Sequence, residues 1–280
     1  MVLPELPEVE TVVRTLRNIL LGQKIAGVNI FRPEVVKEPE AKSFSSLLAG
    51  REITALRRRG KFILLSLSGD QVLVIHLRMT GRLVISKKEE KHPPHTHVII
   101  NLDDGRELRF IDPRRFGRMW LLPAAELPVF PPLAGLGMEP LTEEFTVTRL
   151  QEMLQPRRAP VKAVLLNQSL LAGLGNIYAD EALHRAGIHP ARPACSLTAG
   201  EVESLHRAIG DVLKEGIAHR GTTFRDYVDG EGKKGGFQNF LRVYGRAGEP
   251  CLTCGTPVAK MKICGRTTSY CPACQPYPAN

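Results

Sequence analysis

Met1-Val2-Leu3-Pro4-Glu5-Leu6-Pro7-Glu8-Val9-Glu10-Thr11-Val12 opens the chain with an acidic, proline-punctuated lead into a helix. From Val9 onward, Val9, Val12, Val13, Leu16, Ile19 and Leu20 recur at 3.6-residue spacing, which predicts an amphipathic helix with one apolar face. Pro7 suits its first turn, where a missing N–H costs nothing, and Glu8 and Glu10 stand where the helix dipole favours a carboxylate. Helix grammar does not account for Pro4-Glu5, a proline and an acid just ahead of a rigid helix end. A prolyl nitrogen freed by processing is a secondary amine that attacks an aldehydic or sugar carbon and gives an iminium directly. A neighbouring Glu then serves as general acid or base.

At 280 residues the chain is long enough for two domains, each with its own core. Aromatics are 6% of residues, so those cores must be mainly aliphatic. A formal net charge of +9 points to a polyanionic partner, and no apolar run approaches the length of a bilayer span. The N-terminus lacks the basic region and long apolar segment of a secretory signal. Four of the six cysteines form two C-x-x-C pairs, which fits metal binding better than a disulfide framework and implies a cytoplasmic protein.

Beyond the first helix, residues 25–31 read as a strand, followed by a looser polar segment. The clearer β signal begins at Lys61: residues 61–67 and 71–77 are apolar runs split by Ser68-Gly69-Asp70, a hairpin turn. Residues 82–85, 97–102, 107–111 and 118–122 continue the pattern, predicting an antiparallel sandwich or barrel. Four prolines and two glycines within 127–140 mark a boundary. Helical spacing then appears at 146–154, 160–167, 177–186 and 201–218, the last headed by a Thr198/Glu201 capping box. The fold class is therefore α+β, divided at 1–136, 137–230 and 231–280.

Cys251-x-x-Cys254 and Cys271-x-x-Cys274 stand sixteen residues apart, a spacing suited to one structural zinc ion with four thiolate ligands. Four thiolates leave no open position for catalysis, and metal binding would supply most of the folding energy of so short a segment. Gly173-Leu174-Gly175-Asn176 places glycines and an Asn immediately before a helix, where exposed N–H groups bind phosphate; an ordinary Asn-capped turn explains the same letters. Arg57-Arg58-Arg59-Gly60-Lys61 reads as a solvated basic edge ahead of the first hairpin. Met79 fits a core position, a Phe in Asp112-Pro113-Arg114-Arg115-Phe116-Gly117 is more often buried, and residues 222–238, with four glycines, suit a mobile loop.

Taken together, these stretches resemble the formamidopyrimidine-DNA glycosylases, bacterial enzymes that remove 8-oxoguanine, over nearly the whole chain from Pro4 to Gln275. The opening Pro-Glu-Leu-Pro-Glu-Val-Glu separates the chain from the related endonuclease VIII branch, which prefers oxidised pyrimidines. The resemblance implies an N-terminal β-sandwich with flanking helices, a helix–two-turn–helix over 165–190 and a C-terminal zinc finger. It further implies excision of oxidised purines from damaged double-stranded DNA and abasic-site lysis by β,δ-elimination, with no diffusible cofactor. Pro4 would be the nucleophile, Glu5 the proton shuttle and Lys61 an active-site cation. Lys162, Asn176 and Arg266 would hold phosphates, with Arg114 also on DNA; His76, His95 and His97 are further candidates for phosphate contact, although a lone His is more often a satisfied structural residue. Met79, Arg114 and Phe116 would fill the void left by the extruded base, recovering part of the few kcal/mol of lost stacking, and the 222–238 loop would cap the lesion. The expected protein is a monomer, with DNA as partner and no membrane, associated with the bacterial nucleoid.

One departure matters: in the family the proline follows the initiator Met, whereas here Val2 and Leu3 intervene. An internal Pro4 nitrogen is a tertiary amide and cannot form an iminium. Three outcomes follow: the chain as written is inactive, Lys61 substitutes as nucleophile, or, the favoured expectation, translation starts at position 3 through a leucine-type start codon and leaves Pro4 as the mature N-terminus. Two rivals remain at this point: a DNA-binding module without chemistry, and an RNA- or ribosome-binding zinc-ribbon protein. Incision of an 8-oxoguanine duplex dismisses the first, and competition between duplex and RNA separates the second.

Overall fold

The computed structural model describes residues 3–277, so Met1 and Val2, on which the expected start depends, lie outside the described residues. Chain contacts divide into two compact units. The first runs to Ala134 and takes back His219–Gly236; the second is Gly135–Ala218 with the chain from Phe237 onward. Compactness thus follows space rather than the chain-order division at 136/137 and 230/231, because residues 219–236 bond back onto the first helix.

In the first unit, helix α1 (Leu6–Leu20) has Pro7 in its first turn and Glu5 at its N-cap. Val9, Val12, Val13, Leu16 and Leu20 are fully buried, as the 3.6 spacing required, and Ile19 packs at the margin. Each such burial stabilises by roughly 1.5–3 kcal/mol. The strands are β1 (Ile25–Ile30), β2 (Val36–Glu38), β3 (Ile53–Arg59), β4 (Phe62–Leu67), β5 (Gln71–His76), β6 (Arg82–Lys87), β7 (Thr96–Leu102), β8 (Arg106–Ile111) and β9 (Arg118–Pro123), with helix α2 (Ala41–Leu48) between β2 and β3. They form a five-stranded sheet, β2-β9-β5-β4-β3, and a four-stranded sheet, β1-β7-β8-β6. Period-two residues from both sheets, such as Ile63, Leu65, Leu73 and Ile75 against Val98, Ile100, Leu108 and Phe110, share one core with α1.

Four local expectations change. Arg57, Arg58 and Arg59 do not precede the first hairpin; they lie on β3, which pairs with β4 through the tight turn at Gly60, whose φ is +56°. Arginine on an edge strand can snorkel to solvent or find a partner, and Arg58 does, donating to Glu10 at 3.1 Å. The looser polar segment contains β2 and α2, with Phe44 and Leu48 as its buried anchors. The sheets are not wholly antiparallel, since β2 runs parallel to β9. The proline-rich stretch is structured too: a 3-10 turn (Ala124–Val129) and short α3 (Pro131–Ala134) bring Phe130 to within 5.6 Å of the Trp120 ring.

The second unit is helical and then zinc-finger-like: α4 (Val147–Leu154), α5 (Val161–Leu166), α6 (Asn176–Arg185), α7 (Ala199–Ala218) and the hairpin β10 (Ala259–Ile263) and β11 (Arg266–Tyr270). The capping box ahead of α7 forms in both directions: Thr198 N–H donates to Glu201 at 2.8 Å and Glu201 N–H to the Thr198 hydroxyl at 3.3 Å. Gly216 lets α7 approach Tyr178 on α6, where an added Cβ would fall 2.5 Å from the ring.

Candidate active site and nucleic-acid interface

Pro4 and Glu5 are both buried at the head of α1. The Glu5 N–H donates to Glu8 Oε2 at 2.9 Å, which fixes the backbone from which the Glu5 carboxyl projects. Glu8, 1% exposed, uses its other oxygen to accept the Thr222 N–H at 2.7 Å. The Tyr227 hydroxyl lies 3.2 Å from the Glu8 carbonyl and 3.0 Å from that of Arg220. Residues 219–236 are consequently tied to the same helix turn that carries Glu5. The mobile-loop expectation needs that correction: Gly230 N–H donates to Thr15 at 3.0 Å and Asp229, fully buried, pairs with Arg220.

Lys61 is half-buried at the β3–β4 turn. Its charge reaches His76, which pairs with Phe62 across the β4–β5 ladder. Burial, then Arg78 and Lys61, push His76 down to about 3, so the imidazole is neutral and its Nδ1 accepts the Arg78 N–H at 3.0 Å.

Asp112 is the residue that sequence reading passed over. Fully buried, it accepts from the Thr80 hydroxyl, from the Arg114 N–H at 3.2 Å and from the Gly117 N–H at 2.7 Å. Its own N–H donates to the His95 carbonyl at 3.0 Å, and its carbonyl meets His97 Nε2 at 2.7 Å. The carboxylate thereby gathers the turn with Met79 and the turn with Arg114 and Phe116, and the backbone N–H of the same residue holds the exposed His95 turn. An Asp ahead of a Pro is an Asx-turn signal, which was the clue available in the letters. Phe116 is 43% exposed and stacks under the Arg114 guanidinium at 4.8 Å, and Met79 sits half-buried in a turn, so neither is a core residue.

In the second unit, Asn176 begins α6 and donates to the Thr267 carbonyl at 2.9 Å. Arg266, beside Thr267, is exposed where the zinc hairpin turns through Cys264 and Gly265, both at positive φ. Lys162 stands differently from its expected place on phosphates. It is fully buried, paired with Asp180 at 2.6 Å and donating to the Thr268 hydroxyl at 2.8 Å. Burial pushes Asp180 up to about 7, against the opposing pull of the Lys162 ammonium and of the Ser269 N–H at 2.9 Å. Lys162 thus clamps the hairpin to α5 and α6 from beneath.

The Sγ atoms of Cys251, Cys254, Cys271 and Cys274 lie within 4.8 Å of one another, with Cys251–Cys274 at 3.9 Å and Cys254–Cys271 at 3.4 Å. A tetrahedral zinc with bonds of about 2.3 Å requires sulfur separations of about 3.8 Å, so the donor set fits the ion. Hydrogen bonds from Thr256 hold the Cys254 thiol down to about 6, whereas burial and the neighbouring sulfurs push Cys274 up. Four crowded thiolates need a cation. Cys195 and Cys264 are exposed and stand outside the cluster.

Three family models cover most of the chain: "Formamidopyrimidine-DNA glycosylase N-terminal domain" at residues 3–119, "Formamidopyrimidine-DNA glycosylase H2TH domain" at 136–228, and "Zinc finger found in FPG and IleRS" at 248–276. The chain belongs to the formamidopyrimidine-DNA glycosylase family. The formamidopyrimidine-DNA glycosylase of Desulforamulus reducens is 51% identical over 98% of this chain and 99% of its own, and that of Moorella thermoacetica 53% identical over 93% and 95%. Among solved structures, the Fpg protein of Thermus thermophilus matches with a TM-score of 0.88 at 44% identity, covering 99% of this chain and all of its own. The Lactococcus lactis Fpg in complex with DNA containing an abasic site matches with a TM-score of 0.91 at 35% identity, covering 98% and 100%. The glycosylase family's zinc site is the four-cysteine cluster, which holds one structural zinc ion. Among the described residues no helix is long and apolar enough to cross a membrane.

Proposed function

We infer that this chain is a base-excision-repair DNA glycosylase and abasic-site lyase that removes oxidised purines, 8-oxoguanine and formamidopyrimidines, from duplex DNA. The observation that carries the reading is the head of α1, where Pro4 leads directly into a buried Glu5 whose backbone Glu8 fixes. The Pro4 nitrogen attacks C1′ and displaces the damaged base, forming an iminium with the opened sugar. Glu5, buried at the head of α1, moves the proton at the ring oxygen. The iminium then accepts the electron pair released when C2′ loses its proton, and β- and δ-elimination follow. Lys61 adds a positive charge beside the reacting sugar. Attack requires a secondary amine, so the active form begins at Pro4.

Met79, Arg114 and Phe116, gathered by Asp112, enter the space of the extruded base; an exposed aromatic stacked on a guanidinium suits that task. His95 and Arg266 contact phosphates, as does Asn176 at the helix start. Lys162 acts as a positioning residue for the hairpin that presents Arg266. The 222–238 segment caps the lesion, and the protein acts as a monomer on DNA. No step passes through the zinc ion, whose four thiolates hold the finger's fold.

Borohydride trapping on an 8-oxoguanine duplex tests the chemistry, with peptide mapping to locate the adduct and intact-mass analysis of protein from its native host. The expected result is a covalent adduct at Pro4 in a chain that starts there, while Glu5→Gln binds the duplex and leaves the base in place. An adduct on Lys61, in a chain beginning at Met1 or Val2, overturns the Pro4 assignment.

A further inference from the structure

Helix α6 grips the zinc finger along one face. Asp180 accepts the Ser269 N–H at 2.9 Å. Its neighbour Glu181, 3% exposed, accepts three backbone N–H groups from Arg242, Val243 and Tyr244, at 2.8, 3.0 and 2.8 Å, on the strand of chain that leads into Cys251. One turn further, His184 points its Nε2 at Cys251 Sγ, 3.6 Å away. Past the helix end, the Ile188 carbonyl accepts from Gln275, the residue that follows Cys274. Among these contacts only that of His184 reaches a metal-binding sulfur directly.

We propose that His184 is an outer partner of the zinc site, donating its Nε2–H to the Cys251 thiolate and so locking the metal centre onto α6. It is not a fifth ligand, because four sulfurs already complete the tetrahedron. The geometry suits an N–H···S hydrogen bond: His184 is 8% exposed and Cys251 3% exposed, so water does not compete for either atom. A donor on a thiolate disperses part of its charge, which matters where four anionic sulfurs share one dication. Helical spacing explains why His184 is the residue that reaches: positions 180, 181 and 184 fall on one face of α6, and the finger lies along that face. The consequence extends to the helix start, since α6 begins at Asn176 and the same hairpin supplies the Thr267 carbonyl to which Asn176 donates.

The test uses the full-length zinc protein, its His184→Leu variant, which keeps apolar bulk without a donor, and His184→Gln, which retains an N–H of shorter reach. Zinc transfer to a chromogenic chelator is followed for each, together with the sulfur-to-metal charge-transfer bands after cobalt substitution. His184→Leu is expected to bind zinc about tenfold more weakly, with displaced charge-transfer bands and unchanged helix content, and His184→Gln to fall between it and the parent. Equal zinc retention and identical cobalt spectra in His184→Leu and the parent overturn the proposal. If His184→Leu does not fold, the same criteria applied to His184→Phe, a planar ring without a donor, decide it.

Discussion

Lys162 shows how far a single residue can be read from letters. Its type and its place ahead of a glycine-rich turn are visible, but its environment is set by Asp180 and by Thr268, which lies 106 positions away, so its burial is not. The ion pair it makes has a definite consequence. Lys162→Met leaves Asp180 buried without its cation, and stability should fall by about 3–5 kcal/mol in urea denaturation. The slope of log affinity against log salt should stay at the parent value, because a fully buried ammonium neutralises no phosphate. Arg266→Ala, exposed at the hairpin turn, should instead lower that slope by about 1 at little cost in stability. A lowered slope in Lys162→Met returns that residue to the phosphates. His76 supplies a pH effect of known sign. The unfolded imidazole takes a proton near 6.5 and the folded one only near 3, so in that window the unfolded state binds more protons and stability drops as pH falls. The slope is at most about 1.4 kcal/mol per pH unit. Urea midpoints of His76→Gln should vary less between pH 7 and pH 5 than those of the parent; parallel curves refute the assignment.

Elements were legible where one face alone decides them. The apolar stripe of α1, the hairpin β4–β5 and the capped start of α7 follow from periodicity and turn residues that lie close together in the chain. The strand β3 escaped because arginines occupy three of the seven positions of an edge strand, where solvent accepts what a central strand would not. The 219–236 segment escaped for another reason: its glycines read as freedom, yet several mark close approach. An added Cβ at Gly235 would fall 2.2 Å from the Gly221 carbonyl oxygen, and at Gly230 2.4 Å from Leu16. Neither partner can retreat without disturbing the bonds to Glu8 and Thr15. Gly235→Ala should therefore loosen the segment, seen as faster amide exchange at residues 222–236 and slower lesion excision. Gly200→Ala, with nothing within 4 Å of its Cβ, should leave both unchanged. Equal exchange in the two variants would falsify the close-packing account.

At the scale of the molecule, the two units differ in what holds them. The first contains a continuous aliphatic core shared by two sheets and α1, the kind of burial that sustains a domain alone. Among the described residues the finger's own apolar cluster is Val243, Cys251, Val258 and Cys271, with Ile263 also buried, a small apolar surface for ordering the chain from 242 to 276. Its fold must come from the metal, with a binding free energy of about 10 kcal/mol or more. Removing zinc by chelation, or weakening its site with Cys274→Ser, should therefore abolish amide protection across β10 and β11 while that of β4, β5 and β9 persists. Duplex affinity should be lost with it, because Arg266 and the Thr267 carbonyl that Asn176 engages both ride on the hairpin. The sequence announces the ligands plainly and says nothing of these docking contacts, since they join residues about ninety positions apart. Zinc-free protein that retained both hairpin protection and tight duplex binding would show that the finger folds on its contacts with α6 alone.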